Sequence, residues 1–594
     1  MSSAEEKIAK RSLERQATFQ KLEDKLAALT SGDPQIKMIL QLKFMDLRDK
    51  LQKGELKSVD VLRAYQVKQN ALKPSPVKNK QVMALPSCSA KLMALPSRSA
   101  NDQTTLEISE EIRGTLHNEH TLALEVQKRL NCVTEPILEA EEIAADLDNL
   151  EDKKGLLHGI PISLKENMEL KGYTSTAGLS CQLDVFLEAD SALVQVLKAE
   201  GAVPFMRTNL PQTMLTIESS NPIYGEVANP YDQTRVPGGS SGGEGALIGG
   251  GGSLLGIGND IGGSLRIPAA LCGICTLKAS SNRITLDGTF APTHGQNIVI
   301  PTNGPMARDV DSLVVCLKAL FAEKSFTLDP YLYPAPFRNE IYEKRRPLTI
   351  GYSFSDGHKA IAEACVRAVN LTKETLEAVG HKLVPFCPPR VGLAMELWLD
   401  ALFGDNGEEL LSYLTVRDWW DTNVKTRVCV HLVKFIVKFI IRNILVILSS
   451  LPSVCSSRNL KKYLSRVLQR YKTEFLKAWR EANIDVLIYP AFAYTALPMK
   501  MINELISGIS YTALWNLLDY PAGVVPVTKV TADDVRNTLS IGEKGEFEKN
   551  LKKATVGSEG LPACVQCVGL PYSDELVLRS MKEIEDNVKF ESSI

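Results

Sequence analysis

From about Gly155 onward the chain switches repeatedly between two hydrophobic periods. The run "GIPISL" (159–164) reads as a short buried strand, and "DSALVQVLKAEG" (190–201) as a helix stopped at Gly201, followed by "AVPFM" as a strand. "PLTIGYSF", a helix from about Ala360 to Val379, Gly380 and then "HKLVPF" form a second strand–helix–strand unit. "DVLIYP" and "GVVPVTKV" are further β-branched runs of strand length. Such repetition predicts an α/β layer architecture. No second self-contained pattern follows, so residues 131–594 are read as one large domain.

Upstream the pattern differs. Residues 1–70 read as a helical region of polar, amphipathic segments, with a turn at Gly54 and a Ser58 cap before Val59–Tyr65. Residues 71–130 read as an insertion followed by a charged helix to about Lys128. Within the insertion, "VMALPSCSA" at Val82 is nearly repeated as "LMALPSRSA" at Leu92, which predicts a duplicated surface loop without chemistry.

One segment breaks the alternation. From Arg427 to Leu451 the text is "RVCVHLVKFIVKFIIRNILVILSSL". On a helix Arg427, His431, Lys434, Lys438 and Arg442 share one face of roughly 80°, and the rest of the circumference is apolar. A spanning helix would carry three obligate cations in its middle, each costing about 2.5–3.5 kcal/mol there. A helix lying in the membrane interface wants this basic stripe and apolar bulk. A core helix with one wet face fits the same pattern. Trp419 and Trp420, suited to an interface, favour the membrane reading for a cap over about 418–452.

Composition narrows the class. The chain has 594 residues, 44% hydrophobic and 23% charged, which is globular rather than disordered. A net charge of −2 gives no reason to expect a nucleic-acid partner. The opening "MSSAEEKIAKRSLERQ" has no apolar core of signal-peptide or membrane-spanning length. The expected setting is therefore intracellular. Twelve cysteines without a signal fit reduced thiols. Cys272/Cys275 and Cys564/Cys567 have metal-ligand spacing, but their neighbours are apolar and cysteine packs as a small hydrophobe, so neither a metal nor a cofactor is expected.

The chemistry concentrates in two glycine-rich stretches, "PGGSSGGEG" (237–245) and "DIGGSLRIP" (260–268). A phosphate cradle would need G-K-[ST] or G-x-G-x-x-G, and neither is present. Gly238-x-Ser240-x-Gly242 matches a nucleophile elbow, as does Gly239-x-Ser241-x-Gly243, but that reading needs a distinctive histidine, and His358 and His381 stand in ordinary contexts. A serine hydrolase with a lysine base has the right inventory. Lys165 ends the apolar run "HGIPISLKENM", where burial would lower its pKa and let the amine accept a proton near neutrality.

These residues carry a resemblance. "GGSSGGEGALIGGGGSLLGIGNDIGGSLRIPAALCGICTLK" resembles the signature of the amidase signature family. "GIPISLKENMELKGYTSTAGLS", "GAVPFMRTNLPQTMLTIESSNPIYGEVANP", "GPMARDVDSLVVCLKALF" and "ISYTALWNLLDYPAGVVPVTKVTADD" resemble its animal fatty acid amide hydrolase branch. The resemblance implies a large mixed β-sheet wrapped by helices and a Ser-Ser-Lys triad. Lys165 is then the base, Ser240 the bridging hydroxyl and Ser264 the nucleophile. It implies an oxyanion site from the N–H groups of Ile261, Gly262, Gly263 and Ser264, with Met214 beside the triad and Ile217 facing an acyl channel. Asp260 and Arg266 either pair to fix this loop or make separate contacts, and Ser241 is expected to serve local backbone bonding.

The implied substrate is a long-chain fatty acid amide, an N-acylethanolamine or primary amide, cleaved to a free fatty acid and an amine. A membrane surface and a homodimer are implied too. Membrane contact falls to the 418–452 cap, through Trp419, Trp420, Lys434, Lys438 and Arg442, on the cytosolic face of internal membranes. Three departures stand out: no evident N-terminal transmembrane helix such as the branch carries, the 72–104 insertion, and "GEKGEFEK" where the branch has an aromatic-rich stretch. A glutaminase-type enzyme of the glutamyl-tRNA amidotransferase kind shares the triad, but the amphipathic segment argues against it. An inactive lipid-binding protein would not need all three triad residues.

Overall fold

A computed structural model of the chain describes residues 4–26, 34–66, 123–152, 155–293, 298–404, 407–414 and 457–592. The expected cap, with Trp419, Trp420, Lys434, Lys438 and Arg442, lies outside these residues, as does the 72–104 repeat. Among the described residues no helix is long and apolar enough to cross a membrane.

Thirteen strands are described, eleven of them in one sheet. They are β1 (Val133–Pro136), β2 (Pro161–Lys165), β3 (Val203–Thr208), β4 (Ser220–Asn221), β5 (Gly225–Glu226), β6 (Leu255–Asp260), β7 (Cys275–Lys278), β8 (Thr302–Ala307), β9 (Thr349–Tyr352), β10 (Lys382–Pro385), β11 (Val486–Pro490), β12 (Ala522–Lys529) and β13 (Pro562–Gly569). The large sheet runs β1-β3-β2-β6-β8-β7-β12-β13-β11-β9-β10, while β4 and β5 form a separate ribbon. Pairing is parallel within β3-β2-β6 and β11-β9-β10, and antiparallel across the middle. This is the large mixed sheet that the resemblance implied. Its central strands are buried along their whole length, as a sheet covered on both faces requires.

The strand–helix–strand units fall where the periodicity put them. Ser191 caps the helix Ala192–Ala199 by accepting from Val194 N–H, and β3 follows. The second unit is β9, the helix Glu363–Ala378 and β10. One local expectation changes. The helix Ser58–Gln66 is capped from outside, because Asp148 accepts from the N–H groups of Ser58 (2.6 Å) and Val59 (3.1 Å), and the Ser58 hydroxyl has no partner among the described residues. A carboxylate at a helix N-terminus also meets the positive end of the helix dipole.

The N-terminal helix Ala4–Leu26 lies against β1. Arg15 donates to the carbonyls of Thr134 (2.8 Å) and Val133 (2.7 Å). Leu22 and Leu26 belong to the same hydrophobic core as Ile162, Ile257 and Val568. The cysteine pairs behave as packing residues: Cys272 Sγ donates to Pro237 O and Cys564 Sγ to Ala270 O, each at 3.3 Å. Burial pushes both thiols up and keeps them protonated.

Candidate active site

The parallel neighbours β2 and β6 end side by side, delivering Lys165 from one and Asn259 and Asp260 from the other. Lys165 is wholly buried, and its Nζ donates to Ser240 Oγ at 2.6 Å and to Asn259 Oδ1. Burial pulls its pKa from 10.5 to about 7, against the opposing pull of Asp260, Glu244 and Glu166. The amine is therefore poised between donor and acceptor near neutral pH.

Ser240 follows a cis Gly239–Ser240 peptide and precedes the helix Gly242–Gly249. Its neighbour Ser241 bonds locally, donating Oγ–H to Asn259 O at 3.3 Å. The backbone N–H of Ser241 donates to Ser264 O at 3.1 Å, which brings the two glycine-rich stretches edge to edge. Ser264 stands just before the helix Arg266–Cys272 and is partly exposed, and among the described residues its hydroxyl makes no hydrogen bond. Lys165 and Ser240 are thus in direct contact, and Ser264 lies on the segment hydrogen-bonded to the residue after Ser240.

Asp260 and Arg266 pair, deciding between the two readings left open above. Arg266 Nε and a terminal nitrogen each reach an Asp260 oxygen at 3.1 Å, and both side chains are fully buried. Asn516 donates to Asp260 Oδ1 at 2.9 Å and accepts from Arg266 at 2.6 Å. Burial alone would raise the Asp260 carboxyl, but Arg266 and Asn516 outweigh it and hold it at about 2. Asp260 then accepts backbone N–H bonds from Gly263 (2.8 Å) and Leu265 (3.1 Å).

That last contact corrects one expectation. Of the four nominated oxyanion donors, the Gly263 N–H is committed to Asp260. The N–H groups of Ile261, Gly262 and Ser264 have no acceptor among the described residues. Glycine is required at 263 for another reason. Its φ is +132°, and a Cβ there would lie 2.4 Å from Thr512 Oγ1.

Met214 and Ile217 lie on the adjoining loop. Gly239 packs directly on the backbone of Thr216 and Ile217, so this loop backs onto Ser240. Thr213 and Met214 both have left-handed backbone, φ +62° and +60°. The Met214 side chain joins an apolar cluster with Ala177, Leu179, Leu210, Leu410 and Leu414. The last two precede residues 415–456 in the chain.

Several site residues escaped the sequence reading. Asn259 touches Lys165. Glu244, fully buried, accepts from Ser163 (2.6 Å) and Thr208 (2.8 Å), and its carboxyl is pushed up to about 8 by burial, which those bonds and Lys165 only partly offset. Trp398 donates to Ile261 O at 3.2 Å and Thr512 to Gly262 O at 2.6 Å. Asn259 gave no usable signal, because it ends a strand whose glycines hide it and only the sheet brings that strand beside Lys165. Trp398 and Thr512 reach the site from distant segments and leave none. His381, by contrast, sits by Glu583 at 2.6 Å and accepts from Leu348 N–H, in the β9–β10 part of the sheet.

The Amidase family profile matches residues 121–578. The chain is 42% identical over 474 residues to fatty-acid amide hydrolase 1 of Sus scrofa, covering 78% of this chain and 80% of that protein. It is 36% identical to fatty acid amide hydrolase 1 of Caenorhabditis elegans, covering 80% and 84% respectively. A solved structure of a fatty acid amide hydrolase superposes with a TM-score of 0.75 at 24% identity, over 98% of this chain and 95% of that one, which shows a shared fold. A 6-aminohexanoate cyclic dimer hydrolase shares the fold with a TM-score of 0.61 at 21% identity, over 79% of this chain and 92% of that one. With more than half its length matched by the family profile and with such relatives, the chain belongs to the amidase family and is an amide-bond hydrolase.

Proposed function

We propose that the chain hydrolyses long-chain fatty acid amides through an acyl-enzyme on Ser264. One observation carries the reading: a wholly buried lysine, its pKa lowered to about 7, sits 2.6 Å from Ser240 Oγ, on the segment that pairs with Ser264. Ser264 Oγ attacks the amide carbonyl. Its proton passes to Ser240 Oγ as the Ser240 proton passes to neutral Lys165, since a hydroxyl can donate and accept at once. The negative charge on the carbonyl oxygen is met by uncommitted N–H groups of the Ile261–Ser264 strip. Lys165 then returns a proton through Ser240 to the leaving nitrogen, the C–N bond breaks and the amine departs. Amide cleavage depends on that protonation, because an amine anion is a poor leaving group. Water, activated by the same relay, releases the fatty acid and restores Ser264.

The apolar cluster around Met214, Leu410 and Leu414 supports an acyl chain as the bound group, and the names of the relatives support the fatty amide class. The basic stripe of 427–451 supports delivery of such a substrate from a membrane surface. A homodimer on the cytosolic face of internal membranes completes the reading and rests on the sequence resemblance. Competitive labelling with a fluorophosphonate tests the whole. The probe should modify Ser264, the Ser264→Ala variant should stay unlabelled, and long-chain amides should protect where short amides and glutamine do not. An adduct on Ser240, or protection by glutamine alone, would overturn it.

A further inference from the structure

The Ile261–Ser264 strip has each of its carbonyls tied to a different part of the fold. Ile261 O accepts from the Trp398 indole at 3.2 Å, Gly262 O from Thr512 Oγ1 at 2.6 Å, Gly263 O from Ile267 N–H at 2.7 Å, and Ser264 O from Ser241 N–H at 3.1 Å. In a trans peptide the C=O and the following N–H point opposite ways, so each tether aims the next N–H. The outcome alternates. The N–H groups of Gly263 and Leu265 end on the Asp260 carboxylate, and those of Gly262 and Ser264 have no acceptor among the described residues. The Gly262 and Ser264 donors are therefore set by the carbonyl bonds of Ile261 and Gly263.

The two tethers are unequal in kind. Gly263 O is held by Ile267 N–H in the first turn after the strip, a local backbone contact. Among the described residues Ile261 O is held only by a side chain from far away in sequence, on the helix Val391–Leu402. The Trp398 indole is 6% exposed and lies flush on the strip: a Cβ added to Gly262 would fall 2.7 Å from its Cζ2. Glycine at 262 makes room for the indole but also leaves the Ile261–Gly262 peptide free to rotate unless something holds it.

We propose that Trp398 is a positioning residue for the reaction: its indole N–H fixes the Ile261–Gly262 peptide so that the Gly262 N–H faces the carbonyl oxygen under attack. The inference rests on the reading that Ser264 is the nucleophile. Its energetic basis is preorganisation, since a donor already aimed at the developing charge needs no rearrangement in the transition state. Trp398 acts through the peptide it holds.

The test uses the full chain and two variants. Trp398→Phe removes the donor and keeps an aromatic ring. Benzothienylalanine at 398, with sulfur replacing the N–H, removes the donor and keeps the shape, so it stands even if the phenylalanine variant folds poorly. Losing an oxyanion donor outright costs about 10²–10³ in rate, and losing a tether is expected to cost about tenfold in kcat. KM for a long-chain amide should stay within about twofold, because ground-state binding is untouched. Affinity for a long-chain trifluoromethyl ketone, whose hemiketal oxygen would occupy the same site, should fall by the same factor as kcat. Unchanged kcat in the sulfur variant would overturn the proposal, and so would a fall in kcat with unchanged ketone affinity. Fluorophosphonate labelling of both variants reports separately on the nucleophile. An adduct away from Ser264 would end the parent reading, whereas an adduct on Ser264 with wild-type kinetics would end this inference alone.

Discussion

Replacing Lys165 by methionine should inactivate the protein toward amides and stabilise it at neutral pH. The lysine is wholly buried and its pKa falls from 10.5 to about 7. At pH 7 an ordinary lysine is deprotonated in about one molecule in three thousand, whereas about half of this one is, a gain of about a thousandfold in available base. The same shift has a cost in stability. Between pH 7 and 10.5 the unfolded chain binds more protons than the folded one, so stability rises with pH. Below pH 7 both states hold the proton and the full cost persists, about 5 kcal/mol from the size of the shift. Methionine has similar bulk and no charge, so it removes that cost but forfeits the bonds to Ser240 and Asn259, worth roughly 1 kcal/mol each. The variant should be more stable than wild type by about 2–3 kcal/mol at pH 7, and less stable at pH 10.5, where nothing offsets the lost bonds. Urea denaturation at several pH values, read by tryptophan fluorescence, measures the difference. Alongside it, wild-type kcat/KM for an amide should rise through a limb near pH 7, and the variant should lose more amide than ester turnover. A variant whose relative stability does not change between pH 7 and 10.5 would refute the assignment of a neutral buried base. So would a wild-type rate limb in the carboxylate range.

Asp260→Asn should destabilise the chain by about 3–5 kcal/mol in denaturant, since it leaves the fully buried Arg266 uncompensated. In the wild type this pair's contribution is present at neutral pH, begins to fade below the unfolded value of 3.8, and is lost as pH falls through about 2. Changing Lys434, Lys438 and Arg442 together to Glu should reduce co-sedimentation with anionic vesicles while leaving turnover of a detergent-solubilised amide unchanged. Equal sedimentation would remove the membrane contact from the reading.

The sequence exposed the parts of the fold with strong periodicity. β2, β3, β9, β10, β11 and β12 were legible because they are apolar, β-branched runs bounded by glycine or proline. β6 and β8 were not, since "LGIGND" and "TNGPMA" carry glycines that lower strand propensity, and only their central place in the sheet makes them strands. Lys165 stood out by its place at the end of an apolar run, whereas Ser240 and Ser264 were singled out by the family resemblance. Asn516, Thr512 and Trp398 were not legible, because each meets the site through tertiary packing of helices that look like ordinary amphipathic or apolar segments. The missed role of Asp148 at Ser58 has the same origin: a cap supplied 90 residues away leaves no local mark.

Both ends of the large sheet are blunted against a further strand. At β1 the outward carbonyls of Val133 and Thr134 are already occupied by the Arg15 guanidinium. At the other margin β10 opens with Lys382 and finishes with Pro385, which has no N–H to offer. Among the described residues these two margins are poor backbone templates for continuing the sheet into a second copy of the chain.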